Sequence, residues 1–360
     1  MNNYQKGFTL IELMIAIVLG LLISAAALTV YLTAQRSLSL QNAMGELQQN
    51  GIFGLNQITY DLRHVNLNTA SAQIINPRVV GSGIIFNHRN LPSSLSGISS
   101  DFFTSFELTE GATTDNSDQL TVQYVPQYLT TTSYVDSEES EEEEKVTISK
   151  KNSEQYDCEG NKIEFEEEFP GGKADHGSGA PETADRVVVQ RYYISEIKDS
   201  KNKSFNPQRY ALFCDAGFYQ ENDTIINGLG TGAQQLMQDV DAFKFLLGVR
   251  QKSNGKLSYL TVDEYKDLMP KEDPTDVNAE IYNIVSIKLA LLMRSSNPVG
   301  ANEHINNNKT FITFGDQLEA NVKDAEYTLS LSNDQKTSSK YLRQVVSQVV
   351  AFRNTLGEAQ

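Results

Sequence analysis

The feature that most constrains the fold of this chain is a strongly apolar segment near its N-terminus. No charged residue occurs between Glu12 and Arg36, and an α-helix of about 20 apolar residues is long enough to cross the hydrocarbon core of a bilayer. We therefore predict that residues 8–35 form a membrane-spanning helix. Lys6 is the one charge that precedes Glu12, which favours a cytoplasmic N-terminus because basic residues remain on that side.

Two details distinguish this segment from a secretory signal peptide. The leader is only Met1–Gly7, so the apolar residues follow the small residue Gly7 instead of preceding a cleavage site. Glu12 also lies within the apolar run, where a charge near the bilayer centre costs about 2.5–3.5 kcal/mol on insertion scales. Such a carboxylate is a functional candidate, and the partner expected for it is a positive amine. The alternative is a simple signal anchor that contains Glu12 without a specific role.

The residues around this position resemble a known processing signal. Gly7-Phe8-Thr9-Leu10-Ile11-Glu12 is similar to the class III signal of type IV prepilins and pseudopilins. The resemblance implies cleavage between Gly7 and Phe8 by prepilin peptidase, followed by N-methylation of the new Phe8 amine. It also implies that Glu12 meets the Phe8 amine of a neighbouring subunit during filament assembly, since paired opposite charges avoid the cost of an isolated buried charge.

A second stretch narrows this resemblance. Residues 46–51 (ELQQNG), followed by Asp61-Leu62-Arg63, are similar to the Q-x-N-G-R-F…DLR stretch of PilW-like minor pilins, with Ile52-Phe53 where the family often has Arg-Phe. The family's Gly-Cys after DLR is absent, so its disulfide pattern is not transferred. The resemblance implies an α+β, type IV pilin-like fold, in which a long N-terminal helix packs on an antiparallel β-rich head.

The helix is predicted to continue beyond the membrane segment to about Arg63, since no proline interrupts it. Its apolar stripe consists of Leu38, Leu47, Ile52, Leu55, Ile58 and Leu62. Gly45, Gly51 and Gly54 each weaken a helix by about 1 kcal/mol relative to Ala. These glycines either let the helix bend or permit close packing on the head.

The domain organisation follows from these segments. We predict a leader at 1–7, a transmembrane and filament-core helix at 8–35, its amphipathic continuation at 36–65 and a β-rich head at 66–360. Short runs rich in β-branched and aromatic residues are typical of strands. Predicted strands are Val79–Phe86, Gln119–Val125, Arg186–Ser195, Tyr210–Cys214, Val240–Val249 and Ile284–Met293.

Two further segments complete the predicted head. Thr261–Met269 has a capping box formed by Thr261 and Glu264, which predicts a short helix that Pro270 ends. The valine spacing of residues 343–354 fits a helix as well as a strand. The resemblance to PilW-like and J-type pseudopilin heads, which covers this terminus, favours the strand.

The charge and cysteine content restrict the class of protein further. Asp and Glu number 46 against 30 Lys and Arg, a formal net charge of −16, and such a surface repels nucleic-acid phosphates. Direct binding of nucleic acid is therefore not expected. Cys158 and Cys214 are the two cysteines, and in an exported region they are expected to form one disulfide. The alternative is two free buried thiols.

Acidic residues are concentrated in one part of the predicted head. The run DSEESEEEE at 136–144, together with Glu164–Glu168, is predicted to belong to an acidic insertion, 136–168, whose like charges favour a solvated loop. A calcium site is less well supported because no alternating D-x-D-x-D-G spacing occurs. The Gly-rich stretch from Lys173 to Pro181 is predicted to be another loop or a linker.

No motif in the sequence supports an enzyme. Gly228-x-Gly230-x-x-Ala233 formally satisfies a dinucleotide fingerprint, but the βαβ context is absent and a turn is predicted. The four histidines are scattered without metal-binding spacing, and no G-x-S-x-G elbow occurs. We therefore expect no catalytic residue, metal or cofactor.

The resemblance implies a non-catalytic minor pilin of the type IV pilus. Such a protein is stored in the inner membrane with its head in the periplasm, joins the priming complex that initiates pilus assembly and sits at the extracellular pilus tip. The implied partners are prepilin peptidase, other minor pilins, the major pilin and a PilY-type tip adhesin. The alternatives are a J-type minor pseudopilin of a type II secretion system and a pilin-like adhesin or DNA-uptake receptor.

Overall fold

A computed structural model describes residues 8–71, 74–105, 117–136, 145–169, 185–198, 200–201, 203–269, 282–299, 305–314, 328–331 and 333–355. It begins with one continuous helix of 53 residues, α1 (Leu10–Leu62), which is about 80 Å long at 1.5 Å per residue. Thr9 is its N-cap, and Thr9 and Glu12 form a reciprocal capping box. The predicted uninterrupted helix is confirmed.

The described part of the head contains thirteen strands and two further helices, α2 (Val262–Leu268) and α3 (Asn333–Thr337). The strands, in chain order, are β1 (Leu120–Tyr124), β2 (Leu129–Asp136), β3 (Lys145–Tyr156), β4 (Lys162–Phe169), β5 (Val187–Lys198), β6 (Ser204–Tyr219), β7 (Gln234–Gln238), β8 (Val240–Gln251), β9 (Leu257–Leu260), β10 (Tyr282–Arg294), β11 (Phe311–Ile312), β12 (Thr328–Leu329) and β13 (Arg343–Ala351).

Two antiparallel four-stranded sheets form the centre of the head. Their strand orders are β1-β5-β6-β7 and β13-β10-β8-β9. A separate sheet, β2-β3-β4, will be called the wing, and β11 pairs with β12. A long apolar N-terminal helix joined to an antiparallel β-rich head is the predicted α+β, pilin-like class, which is confirmed.

The second half of α1 is part of the hydrophobic core of the head. Leu47, Leu55, Ile58 and Leu62 are buried with apolar side chains from both four-stranded sheets. Their spacing places them on one side of the helix. Leu38 and Ile52, expected in the same stripe, are instead 52% and 61% exposed. Leu38 lies in the part of α1 that the head does not cover, and Ile52 lies away from the packed side of the helix.

The glycines of α1 have different surroundings. A Cβ at Gly51 would lie 3.1 Å from the side chains of Met293 and Val346, and one at Gly54 would overlap the end of the Met237 side chain. A Cβ at Gly45 would meet no atom within 4 Å. Gly51 and Gly54 therefore permit close packing of the helix on the sheets, which is the second of the two interpretations drawn from the sequence.

One predicted strand is wrong. Residues 79–86 form turns, and only Ile84 makes an isolated bridge, to Val122. The side chain of Asn76 accepts hydrogen bonds from the backbone of Arg78 and Val79. Such local side-chain bonds compete with strand pairing. The other predicted strands, the helix capped by Thr261 and the C-terminal strand are present with shifts of a few residues at their ends.

The prediction of a loop is also wrong for Glu164–Glu168, which lie in β4. In the pairing with β3, Lys150 is opposite Glu166 and Lys151 is opposite Phe165. This backbone pairing makes the acid-rich segment a strand of the wing. Residues 137–144 and the predicted Lys173–Pro181 loop lie outside the described residues.

Candidate functional site

The N-terminal end of α1 presents the residues predicted to act in assembly. Phe8 is 90% exposed. The Glu12 Oε2 atom accepts hydrogen bonds from the Thr9 backbone N, at 3.0 Å, and from Thr9 Oγ1, at 2.9 Å. Within a single subunit, Glu12 therefore caps its own helix. Gly7 and the rest of the predicted leader lie outside the described residues.

The first half of α1 has no contact with the head that buries it. Every residue from 8 to 39 is exposed, and α1 is long and apolar enough to cross a membrane. A surface of this kind is unfavourable in water, because burial of apolar area contributes about 25 cal/mol per Å². The arrangement therefore fits an anchored protein whose apolar helix lies in a bilayer or against other helices.

A second exposed apolar surface lies on α1 beside the head. Ile52 and Phe53 are exposed on the side of the helix opposite the packed stripe, together with Tyr60. Leu38 continues this surface towards the membrane segment. These four residues will be called the outer face of α1. Their apolar side chains remain available to pack against another subunit.

The wing is attached to the sheet β1-β5-β6-β7, which will be called the central sheet, by an ion pair between Lys151 and Asp185 at 2.6 Å and by three further contacts. Cys158, in the turn between β3 and β4, forms a disulfide with Cys214 of β6 across a Cα–Cα distance of 6.1 Å, so the expected disulfide is present. The neighbouring residue Glu159 accepts a hydrogen bond from the backbone N of Ala216 at 2.9 Å. The third attachment is the guanidinium group of Arg186.

Arg186 lies between two aromatic rings that belong to different sheets. Its guanidinium carbon is 4.3 Å from the ring centroids of both Phe165 in the wing and Phe218 in β6. A cation placed over aromatic faces contributes about 0.5–2 kcal/mol. Together with the disulfide, this stacking fixes the orientation of the wing relative to the central sheet.

A cleft of about 240 Å³ lies beside these attachments. Its lining includes Tyr128, Asp157, Glu159 and the rings of Phe165 and Phe218. Burial raises the pKa of Glu159. Arg186 already occupies the space between the two phenylalanines. We therefore interpret the cleft as a consequence of the way the wing is attached and not as a formed ligand site.

The junction between α1 and the head contains a buried acid, Asp61. Its Oδ2 atom accepts a hydrogen bond from the hydroxyl group of Tyr192 at 2.9 Å, and Gln57 lies 3.5 Å from Oδ1. Burial raises the pKa of Asp61 to about 6, and the nearby Asp157 adds to the increase. Burial lowers the pKa of the adjacent His64. The first residue of the DLR stretch is therefore an interior group.

Comparisons with known families match both ends of this architecture. Residues 2–28 match the family model of the prokaryotic N-terminal methylation motif, and residues 191–354 match that of type IV pilus-assembly protein W. The chain is PilW-like. No curated protein and no solved structure matches it.

The two matches bear on the class, the processing and the location of this PilW-like chain. They support a minor pilin of the type IV pilus, and such an assignment suggests a structural protein. The methylation motif implies processing by prepilin peptidase and partners in pilus assembly. The motif and the apolar helix fit a pilin anchored in the inner membrane.

The segment that resembles a dinucleotide-binding motif has a structural role in the PilW-like head. Gly228 and Gly230 lie in the turn between β6 and β7 with positive φ angles of 90° and 87°. The Gly230 backbone N donates to the buried carboxylate of Asp215 at 2.9 Å. The predicted turn is thus confirmed, and its glycines are required by backbone conformation.

The described histidines lie apart. His64 packs against the rings of Tyr60 and Tyr124, and His88 is exposed in a short 3₁₀ turn. His176 and His304 fall outside the described residues. Within those residues, no group of three or more His, Cys, Asp or Glu side chains could hold a metal ion.

Sequence reasoning missed the buried ion pairs of the central strands. Asp239 accepts hydrogen bonds from Arg209 and from Arg294, the latter at 2.9 Å. Lys244 forms an ion pair with Asp118 at 2.9 Å, with both side chains buried. The available signal was the presence of charged residues within the apolar runs of β8 and β10. These pairs contribute to the structure of the head.

Proposed function

We propose that this chain is a minor pilin of the priming complex, which initiates assembly of the type IV pilus and remains at its tip. The observation that carries the proposal is that the two halves of α1 have different surroundings. Residues 8–39 are exposed and apolar, whereas Ala43 to Leu62 are anchored in the core of the head. One helix can therefore pass from the bilayer into a filament while the head remains attached.

In this proposal Glu12 is the charge that sets the position of the subunit. Cleavage after Gly7 exposes the Phe8 amine, which is then N-methylated. The Glu12 carboxylate exchanges its neutral partner Thr9 for the positive Phe8 amine of a neighbouring subunit. A charge-assisted hydrogen bond is roughly twice as strong as a neutral one, so the exchange favours the assembled state.

The head and the outer face of α1 provide the contacts with other subunits. The proposed partners are other minor pilins, the major pilin and a PilY-type tip adhesin, with prepilin peptidase acting before them. The subunit spans the inner membrane once, with its N-terminus in the cytoplasm and its head in the periplasm, until it enters the extracellular pilus. Phe53 and Ile52, which are exposed on the helix, support this role for the outer face.

Substitution of Glu12 tests the proposal in a strain that lacks the chromosomal gene. We expect Glu12→Ala to be processed and to reach the membrane but to lose most surface pili, because the Phe8 amine of its neighbour loses its partner. The measurements are pilus counts by electron microscopy and the mobility of the mature protein on gels. Ser24→Ala, a change to an uncharged residue of the same exposed helix, is the matched control and should restore normal pilus numbers.

Gly7→Leu separates processing from assembly. This variant should accumulate as an uncleaved precursor and support no pili. Normal pilus numbers with Glu12→Ala, at normal protein levels, would contradict the role of Glu12. Normal pili in the strain without the gene would contradict the priming role itself. Loss of protein secretion with normal pili in that strain would assign the chain to a type II secretion system instead.

A further inference from the structure

A titratable group that the proposed function does not use is buried where α1 meets the central sheet. Asp61 is 3% exposed, and Tyr192 and Gln190 of β5 are completely buried. Asp61 lies 26 residues beyond Gln35, about 39 Å along the helix at 1.5 Å per residue. The acid is therefore enclosed by the head and is remote from the membrane segment.

If Asp61 is ionised, the hydrogen bonds around it lack one proton. The Tyr192 hydroxyl oxygen is 2.9 Å from Asp61 Oδ2 and 2.9 Å from Gln190 Oε1. A hydroxyl group carries a single proton to donate, so it cannot satisfy both acceptors. A proton on Asp61 resolves this conflict, because Asp61 then donates to Tyr192 while Tyr192 donates to Gln190.

The protonated acid completes a continuous chain of bonds from α1 into the sheet. It runs from Asp61 to Tyr192, then to Gln190, whose Nε2 lies 3.4 Å from the hydroxyl group of Tyr124 in β1. The reverse orientation of the Gln190 amide would let Gln190 donate to Tyr192 and leave Asp61 as a carboxylate. The two arrangements differ in the charge placed on Asp61.

The surroundings of Asp61 disfavour that charge. Its own helix presents Gln57, β5 presents Tyr192, and the turn between β3 and β4 presents Asp157, which is another acid. Tyr124 of β1 also faces it, while burial lowers the pKa of the adjacent His64 and so disfavours its positive charge. No Lys or Arg of the described residues forms an ion pair with Asp61. An unpaired buried carboxylate is costly.

We propose that Asp61 is a proton-operated latch between α1 and the head. As a neutral acid it fastens the last turn of the helix to β5 through Tyr192. When it ionises, the buried charge weakens this attachment and loosens residues 55–66 from the sheet. The latch belongs to the head and does not depend on the priming role.

The sign of the pH dependence follows from the direction of the shift. Burial raises the pKa of Asp61 from 3.8 to about 6, so the folded head binds this proton more tightly than the unfolded chain does. The contribution to stability is complete below the unfolded value and is lost as the pH rises through about 6. A difference of two pKa units corresponds to about a 100-fold fall in the folding equilibrium constant.

The test uses the full chain in detergent micelles between about pH 4 and pH 8. Hydrogen exchange of residues 55–66, corrected for intrinsic rates, should accelerate above about pH 6 in the wild-type chain. Asp61→Asn keeps a neutral donor and should abolish this acceleration. Asp267→Asn, at an exposed acid on α2, is the matched control and should retain the wild-type profile.

A second variant keeps the proposal testable if Asp61→Asn does not fold. In the latch the protonated Asp61 donates to the Tyr192 hydroxyl group, so Tyr192→Phe should accelerate the exchange of residues 55–66 at low pH as well and reduce the rise across pH 6. Infrared spectroscopy of the wild-type chain should show a protonated carboxyl band that persists above the range in which exposed acids ionise. An exchange profile without a transition near pH 6, or an unchanged profile in Asp61→Asn, would overturn the latch.

Discussion

Gly54 illustrates how the absence of a side chain permits α1 to pack closely against Met237. A Cβ at this residue would overlap the end of the Met237 side chain, and the Met237 Sδ atom would be 3.0 Å away. Gly45 lies on the same helix, but a Cβ there would meet no atom within 4 Å. The two glycines are therefore equivalent in the sequence and different in the folded protein.

The same substitution at both sites should have opposite effects on stability. Gly54→Leu should destabilise the head by about 1–3 kcal/mol, because extra methylene groups in a packed core force its neighbours to move. Gly45→Leu should stabilise the helix by up to about 1 kcal/mol, because a residue with higher helix propensity replaces glycine in open space. Chemical unfolding of the two full-length variants measures both changes. Equal effects would contradict the packing role of Gly54.

Some properties of single residues could be predicted and others could not. The special position of Glu12 is visible in the sequence because it is the only charge in an apolar run. The burial of Asp61 is not visible, because Asp-Leu-Arg at a helix end also fits an exposed, charged terminus. Its environment depends on Tyr192, which is 131 residues away along the chain and approaches only in the folded head.

At the scale of elements, the wing depends on its attachments to the central sheet. Replacement of both Cys158 and Cys214 by Ser should lower the free energy of unfolding by about 4 kcal/mol in the chain-entropy model for a closed loop of 56 residues. Differential scanning calorimetry should show a lower transition temperature than for the wild-type chain. The wild-type chain treated with a reductant should behave like the double variant. An unchanged transition in both samples would show that the remaining contacts, including Arg186, Glu159 and the pair of Lys151 with Asp185, suffice to hold the wing.

The strands could be predicted where the local side-chain pattern matches the pairing that the segment finds in the sheet. In β10 the alternation of Ile287, Leu289 and Leu291 predicts a strand, and the structure has it, although Ala290 and Leu292 on the other face are buried as well. Residues 79–86 have a similar composition, but Asn76 accepts the backbone donor of Val79 in a turn, and the hydrogen bonds of Gly83 and Ile85 to β1 do not complete a strand. The acid-rich β4 was missed because its cross-strand partner Lys150 cannot be identified from local sequence.

At the scale of the whole molecule, α1 supplies part of the hydrophobic core of the head as well as the apolar N-terminal segment. A chain that begins at Arg36 should fold as a soluble head, because residues 8–39 bury no surface against it. A chain that begins at Asn66 should not fold, because it lacks Leu47, Ile58 and Leu62, each of which contributes roughly 1.5–3 kcal/mol when buried. Circular dichroism during heating should show a cooperative transition for the first chain only. A cooperative transition in the shorter chain would contradict this role of α1.

The overall architecture was predictable to the extent that it follows from periodicity. The change from a helical stripe to short β-rich runs near residue 66 separates the anchor from the sheets. The position at which the helix enters the core, near Ala43, could not be predicted, because Leu38 and Leu47 look alike in the sequence. Only the sheets, which are assembled from distant strands, distinguish the two.

The unbroken course of α1 also has a mechanical consequence. Because no hinge or linker separates Gln35 from the core residues near Leu47, a pull on the apolar end is transmitted along one rod into the centre of the head. In the proposed assembly, the head would therefore not swivel relative to the apolar segment as the subunit leaves the bilayer. The same helix would then fix the orientation of the head in the filament.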